Sequence, residues 1–156
     1  MPHLYKLIVA GATVVSFAVS AAECSRQEAI AAEETASTLR TWPDLYATYV
    51  RYRHCDDGAI GEGFSESVSV LVADHWADLE KLSNLTAKDR SFLQFVLRHL
   101  DETVPAERWS QIEANAKNRC PSDARLLCNG ILSRSRTVTA NTAVNTNAPR
   151  AARPLP

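Results

Sequence analysis

Residues 24–55 read CSRQEAIAAEETASTLRTWPDLYATYVRYRHC, two helix beginnings and a turn enclosed by two cysteines. Ser25 precedes Glu28 by three residues, the spacing at which a serine hydroxyl and a glutamate side chain each satisfy a free backbone N–H at a helix start. The alanine-rich run to Leu39 propagates that helix, because alanine has no side-chain freedom to lose. Thr41-Trp42-Pro43-Asp44 opens a second helix. Thr41 caps it, and Pro43 sits in the first turn, where its missing N–H has no partner to lose. Trp42, Leu45, Tyr49 and Tyr52 then share one face. If the two helices fold back near Leu39 and Arg40, level residues have numbers adding to about 79, as 24 and 55 do. The spacing predicts a helical hairpin closed at its open end by Cys24–Cys55.

C-terminal to the hairpin, Gly58, Gly61 and Gly63 are expected to break the chain before a third helix, roughly 64–82. Its apolar stripe is Phe64, Val68, Leu71, His75, Leu79 and Leu82, at the spacing of a core-facing helix. Thr86 and Asp89 announce a fourth, with Phe92, Phe95, Val96, His99 and Leu100 inside. Val104-Pro105 ends that element and starts a fifth, carrying Trp109, Ile112 and Ala116. Cys120-Pro121 stops it, and Ser122 begins a short sixth through Leu127 and Ile131. No segment sustains period-two alternation, so the fold class is all-α, a compact bundle of five or six short-to-medium helices. Cys120 and Cys128 flank the last turn and are expected to form a second disulfide; a bridge from Cys55 to either of them is the competing pairing. No two cysteines stand two to four apart, the spacing of structural zinc sites, so no metal or other cofactor is expected.

The flanks set the compartment. Residues 1–22 have a short n-region with Lys6, an uncharged apolar run from Leu7 to Val19, and the small residues Ser20, Ala21 and Ala22, the pattern of a cleavable secretory signal. The run is shorter than the roughly 20 apolar residues that cross a bilayer. Glu23 before Cys24 is not the small residue that bacterial lipid attachment requires. An exported chain matures where thiols oxidise, which suits four cysteines in two bridges. Residues 23–132 are thus the expected helical domain, periplasmic or secreted, with no membrane span after signal cleavage. Residues 133–156 are rich in Ser, Thr, Asn, Ala, Pro and Arg and are expected to form a disordered basic tail. All 18 acidic residues lie between Glu23 and Asp123, and over residues 23–132 they outnumber the basic ones by six. An acidic body lacks the basic face of a nucleic-acid binder and suits a cationic periplasmic or secreted protein as partner.

The stretch from Cys55 to Glu66 is the most unusual. Its glycines precede a helix start, but Asp56, Asp57, Glu62 and Glu66 would repel a phosphate, and no Gly-Lys-Ser/Thr ending follows. The alternating ligands of a calcium loop are absent too. The four acids are read as helix-start charges and as a possible contact patch for a partner. Tyr46, off the buried stripe of the second helix with Val50 and Arg53, joins them as a candidate contact. His75 and His99, near Asp74 and Asp101, are the only candidates for acid–base work. Ser65 and Ser67 lack a nucleophile elbow. No catalytic or metal-ligating residue is assigned, and a cell-envelope hydrolase or a structural or stress-related envelope protein stand as the alternatives to a binding protein.

By signal segment, size, helical content and four cysteines, the chain resembles the small disulfide-linked helical immunity proteins that bacteria export against cell-wall-degrading toxins. The resemblance implies a non-enzymatic protein that occupies a protein partner. It rests on architecture, with no shared motif, and carries no site residues.

Overall fold

The computed structural model describes residues 23–147, so the expected signal at 1–22 and the last part of the expected tail, 148–156, lie outside the described residues. Among the described residues there are seven α-helices and no strand: α1 (Arg26–Ala36), α2 (Trp42–Tyr52), α3 (Gly58–Asp74), α4 (Leu79–Lys88), α5 (Arg90–Arg98), α6 (Ala106–Asn118) and α7 (Arg125–Asn147). Single 3-10 turns, Arg53–Cys55 and Trp76–Asp78, follow α2 and α3. No described helix is long and apolar enough to cross a membrane.

The caps explain the boundaries. Ser25 and Glu28 form the reciprocal box, Thr41 accepts from the Asp44 N–H, and Asp89 accepts from the Ser91 and Phe92 N–H groups. The hairpin closes as its register requires: Cys24 and Cys55 are bridged with Cα atoms 5.0 Å apart, and His54 Nε2 meets Glu28 Oε1 at 3.4 Å beside the bridge. Cys120 and Cys128 form the second bridge.

Three expectations need correction. First, the third helix starts at Gly58, not Phe64, because Asp57 accepts from the Gly58 N–H and Gly58 itself takes φ +51°, a left-handed value that a Cβ would oppose. Second, the stripe through Leu82 belongs to two helices. The chain leaves α3 at His75, and Trp76, whose Nε1 donates to the Arg119 carbonyl at 2.9 Å, turns it into α4. Leu79 and Leu82 re-enter the same core, so the periodicity passes through the bend unchanged. Third, α7 continues to Asn147, through residues 133–147 of the expected disordered tail. Ile131, Ser135 and Val138 are buried on one face, and Arg134 Nε donates to the Leu100 carbonyl at 2.9 Å. Tertiary contacts supply what the composition lacks.

The core sits around α3. Gly63 lets α1 approach closely enough that an added Cβ would lie 2.9 Å from the Ala36 Cβ. Phe64 meets Phe95 of α5 edge-on at 5.0 Å between ring centres, and Phe95 packs in turn against Tyr49 of α2, tilted at 4.7 Å. On the other side Gln111 and Asn115 of α6 both donate to the Ala73 carbonyl. The Ser-Glu-Ser-Val-Ser run of α3 buries three hydroxyls, each with a different role. Ser67 donates to the Ala36 carbonyl and accepts from the Leu39 N–H, closing the end of α1, while Ser69 accepts from Arg108 of α6. Ser65 faces α5.

Candidate functional site

Ser65, at 2% exposure, lies beside His99, at 5%, with Oγ 3.1 Å from Nδ1. His99 Nε2 is 3.2 Å from Asp56 Oδ2. Serine, histidine and aspartate in sequence would suggest nucleophilic catalysis, so the hydrogens matter. The Ser65 hydroxyl is 2.7 Å from Asp101 Oδ2, closer than it is to the ring, and it donates its one hydrogen there. With its one hydrogen directed at Asp101, the Ser65 hydroxyl is not aligned for proton transfer to His99, whose other ring nitrogen faces Asp56. Phe64 and Phe95 pack against the ring. The arrangement acts as a brace joining the start of α3 to the end of α5.

Asp56 completes it. Burial alone would push its carboxyl upward, but the hydrogen bonds and positive charge of His99 and Arg98 outweigh that and hold it below its ordinary value. Arg98 Nη2 donates to Asp56 Oδ2 at 2.7 Å from the solvent side. Asp101 anchors the next turn as well, accepting from the Thr103 N–H, and its carbonyl accepts from Trp109 Nε1 at 3.2 Å.

The five candidate contact residues therefore divide. Asp56 is turned inward. Glu66 is paired with Arg108, Oε2 to Nη1 at 2.7 Å. Asp57 and Glu62 are exposed at the start of α3, the first spending one oxygen on the Gly58 N–H. Tyr46 sits elsewhere, edge-on to Phe92 and 3.4 Å from Asp89 Oδ2, and its hydroxyl is pushed up by partial burial and by that carboxylate. Next to it on α2, Val50 is 54% exposed. His75, the other histidine considered for acid–base work, caps the end of α3 at intermediate burial.

A second feature lies on the opposite side of Asp101. Ser135 of α7 donates to Glu113 of α6, and Cys128 bonds Cys120, so the two helices run antiparallel. Between them and the turn at Glu102–Pro105 is a groove of about 1000 Å³. Trp109 and Val138 contribute apolar surface, and Glu113 and Lys117 lie in one wall, Nζ to Oε2 at 2.5 Å. Lys117 and then Ser135 hold the Glu113 carboxyl below its ordinary value despite partial desolvation. Sequence periodicity gives no sign of the groove, because its walls mix buried residues such as Ser135 and Val138 with exposed ones such as Ala114 and Lys117. Neither family models, curated proteins nor solved structures match this chain.

Proposed function

We propose that the chain is an exported, non-enzymatic binding protein of the immunity type, matured by oxidation and acting by occupying a cationic protein partner. The observation that carries this reading is the inward closure of its reactive groups. All four cysteines are consumed in disulfides, and in the Ser65–His99 cluster both side chains are buried and the Ser65 hydroxyl is spent on Asp101. What the molecule offers a partner is surface, and the exposed acids Asp57 and Glu62 at the start of α3 carry the contact.

The test begins with a bacterial neighbour gene encoding a secreted cell-wall-degrading toxin. The oxidised full chain is expected to bind that product and suppress its muralytic activity. Glu62→Lys, and Asp57→Asn (which keeps an acceptor for the cap), are each expected to weaken the complex at least tenfold with unchanged thermal stability. A chain that neither binds nor inhibits such a neighbour overturns the immunity reading. Mass measurement of the exported product should place its N-terminus after Ala21 or Ala22, and an uncleaved product overturns the export reading.

A further inference from the structure

We propose that the groove between α6 and α7 binds a neutral saccharide chain, the chemistry of a cell-envelope glycan. The argument rests on how the groove spends its hydrogens. Thr103 Oγ1 donates to Asp101 Oδ1, Ser110 to the Ala106 carbonyl, Thr139 to the Ser135 carbonyl and Thr142 to the Val138 carbonyl. These residues line the groove with their hydroxyl hydrogens directed into the protein, so each hydroxyl offers lone pairs, while Asn118 and Lys117 of the same lining offer N–H donors. Glu102, exposed at the rim, adds a carboxylate. Such a wall suits a ligand rich in hydroxyls, which both donate and accept, and a ligand without hydrogen-bonding groups would leave these atoms unused.

Trp109 supplies the other half of the recognition. Its Nε1 is spent on the Asp101 carbonyl, so the indole presents carbon to the groove. Sugar rings carry aliphatic C–H faces between their hydroxyls and stack on such a surface as other apolar groups do. The charges agree. Lys117 and Glu113 neutralise one another within the wall, which removes the field a charged ligand would need. A volume of about 1000 Å³ lies at the upper end of ligand sites and takes more than one ring.

The test uses the oxidised full chain and a tetrasaccharide of β-1,4-linked N-acetylglucosamine, followed by amide chemical shifts and calorimetry. Expected is saturable binding with shifts confined to residues 102–118 and 135–143. Trp109→Ala should weaken it at least tenfold. Because Trp109 is partly buried, Ala114→Trp, an exposed position in the wall, is the second variant; it should fill the groove and abolish binding with the fold intact. No shifts at millimolar tetrasaccharide, binding that survives Ala114→Trp, or equal affinity for a polyanionic tetrasaccharide of galacturonate would each overturn the proposal. None of these outcomes bears on binding of a cationic protein at Asp57 and Glu62.

Discussion

The hairpin of α1 and α2 and the hairpin of α6 and α7 each carry one disulfide, yet the bridges act on different scales. Cys24 and Cys55 are 31 residues apart and join the far ends of two helices, so the whole hairpin is fixed in register. Cys120 and Cys128 are 8 apart and fix only the turn. The first pair of helices leans on an aromatic cluster, with Tyr49 packed on both Phe92 and Phe95. The second is aligned by polar ties beyond its turn, Ser135 to Glu113 and Arg134 to the Leu100 carbonyl. A pair stapled at its open end closes its interior. One stapled at its turn retains a groove between its helices.

Removing the bridges separates the two cases. Loop entropy alone gives about 3.7 kcal/mol for the 31-residue closure and about 2.5 kcal/mol for the 8-residue one. Urea unfolding of Cys24→Ser/Cys55→Ser should show the larger loss of midpoint, and Cys120→Ser/Cys128→Ser the smaller. Equal losses would mean that the first bridge adds no more than a turn closure.

The buried brace gives the next effect. Asp56→Ala leaves the His99 ring without its carboxylate and is expected to cost about 3 kcal/mol. Asp56 is held below its ordinary value in the folded chain, so its contribution is complete above the unfolded value near 3.8 and is lost as pH falls through the folded one. Glu113 is depressed in the same direction from 4.5, with Lys117 as the main cause. Stability measured from pH 5 down to pH 2 should therefore fall in the wild type. The fall should be shallower in Asp56→Ala, and Glu113→Gln should flatten it less, since its carboxylate is more exposed. An unchanged acid slope in Asp56→Ala would remove the brace from the account.

The unequal treatment of Asp56 and Asp57 shows where sequence reasoning stops. Adjacent acids beside a glycine look alike in the chain. The partners that turn Asp56 inward, Arg98 and His99, stand 42 and 43 residues away, and no local pattern points to them. Where the determinants are local, the reading holds for the caps at Ser25 and Thr41, the hairpin register and both cysteine pairs, whereas the Thr86–Asp89 pair is shifted: Thr86 lies inside α4 and Asp89 is itself the cap of α5. The 3-10 turn at Trp76 escapes because apolar periodicity reports which side faces the core, not whether the axis bends. The length of α7 escapes because few apolar residues mark it, and a carbonyl of the α5–α6 connection receives its arginine.

Two glycines carry the comparison down to its smallest scale. Gly63 in α3 lies where α1 crosses; a Cβ there would stand 2.9 Å from the Ala36 Cβ and 3.2 Å from the Ser37 backbone nitrogen. Neither atom can yield without moving a helix, so Gly63→Ala is expected to destabilise by about 2 kcal/mol despite alanine's better helix propensity. Gly130 in α7 faces only the tip of Leu97, with Cδ1 at 3.0 Å. A rotamer adjustment of a leucine end is a small demand, and the gain of about 1 kcal/mol from replacing glycine in a helix offsets it. Gly130→Ala should leave the unfolding midpoint within about 0.5 kcal/mol of wild type. Because both substitutions add the same methyl to a helix, the difference between them isolates the packing. A large loss at Gly130 would mean that α7 is seated against α5 as tightly as α1 is against α3, and the contrast between a closed and an open hairpin would then have to rest on the disulfides alone.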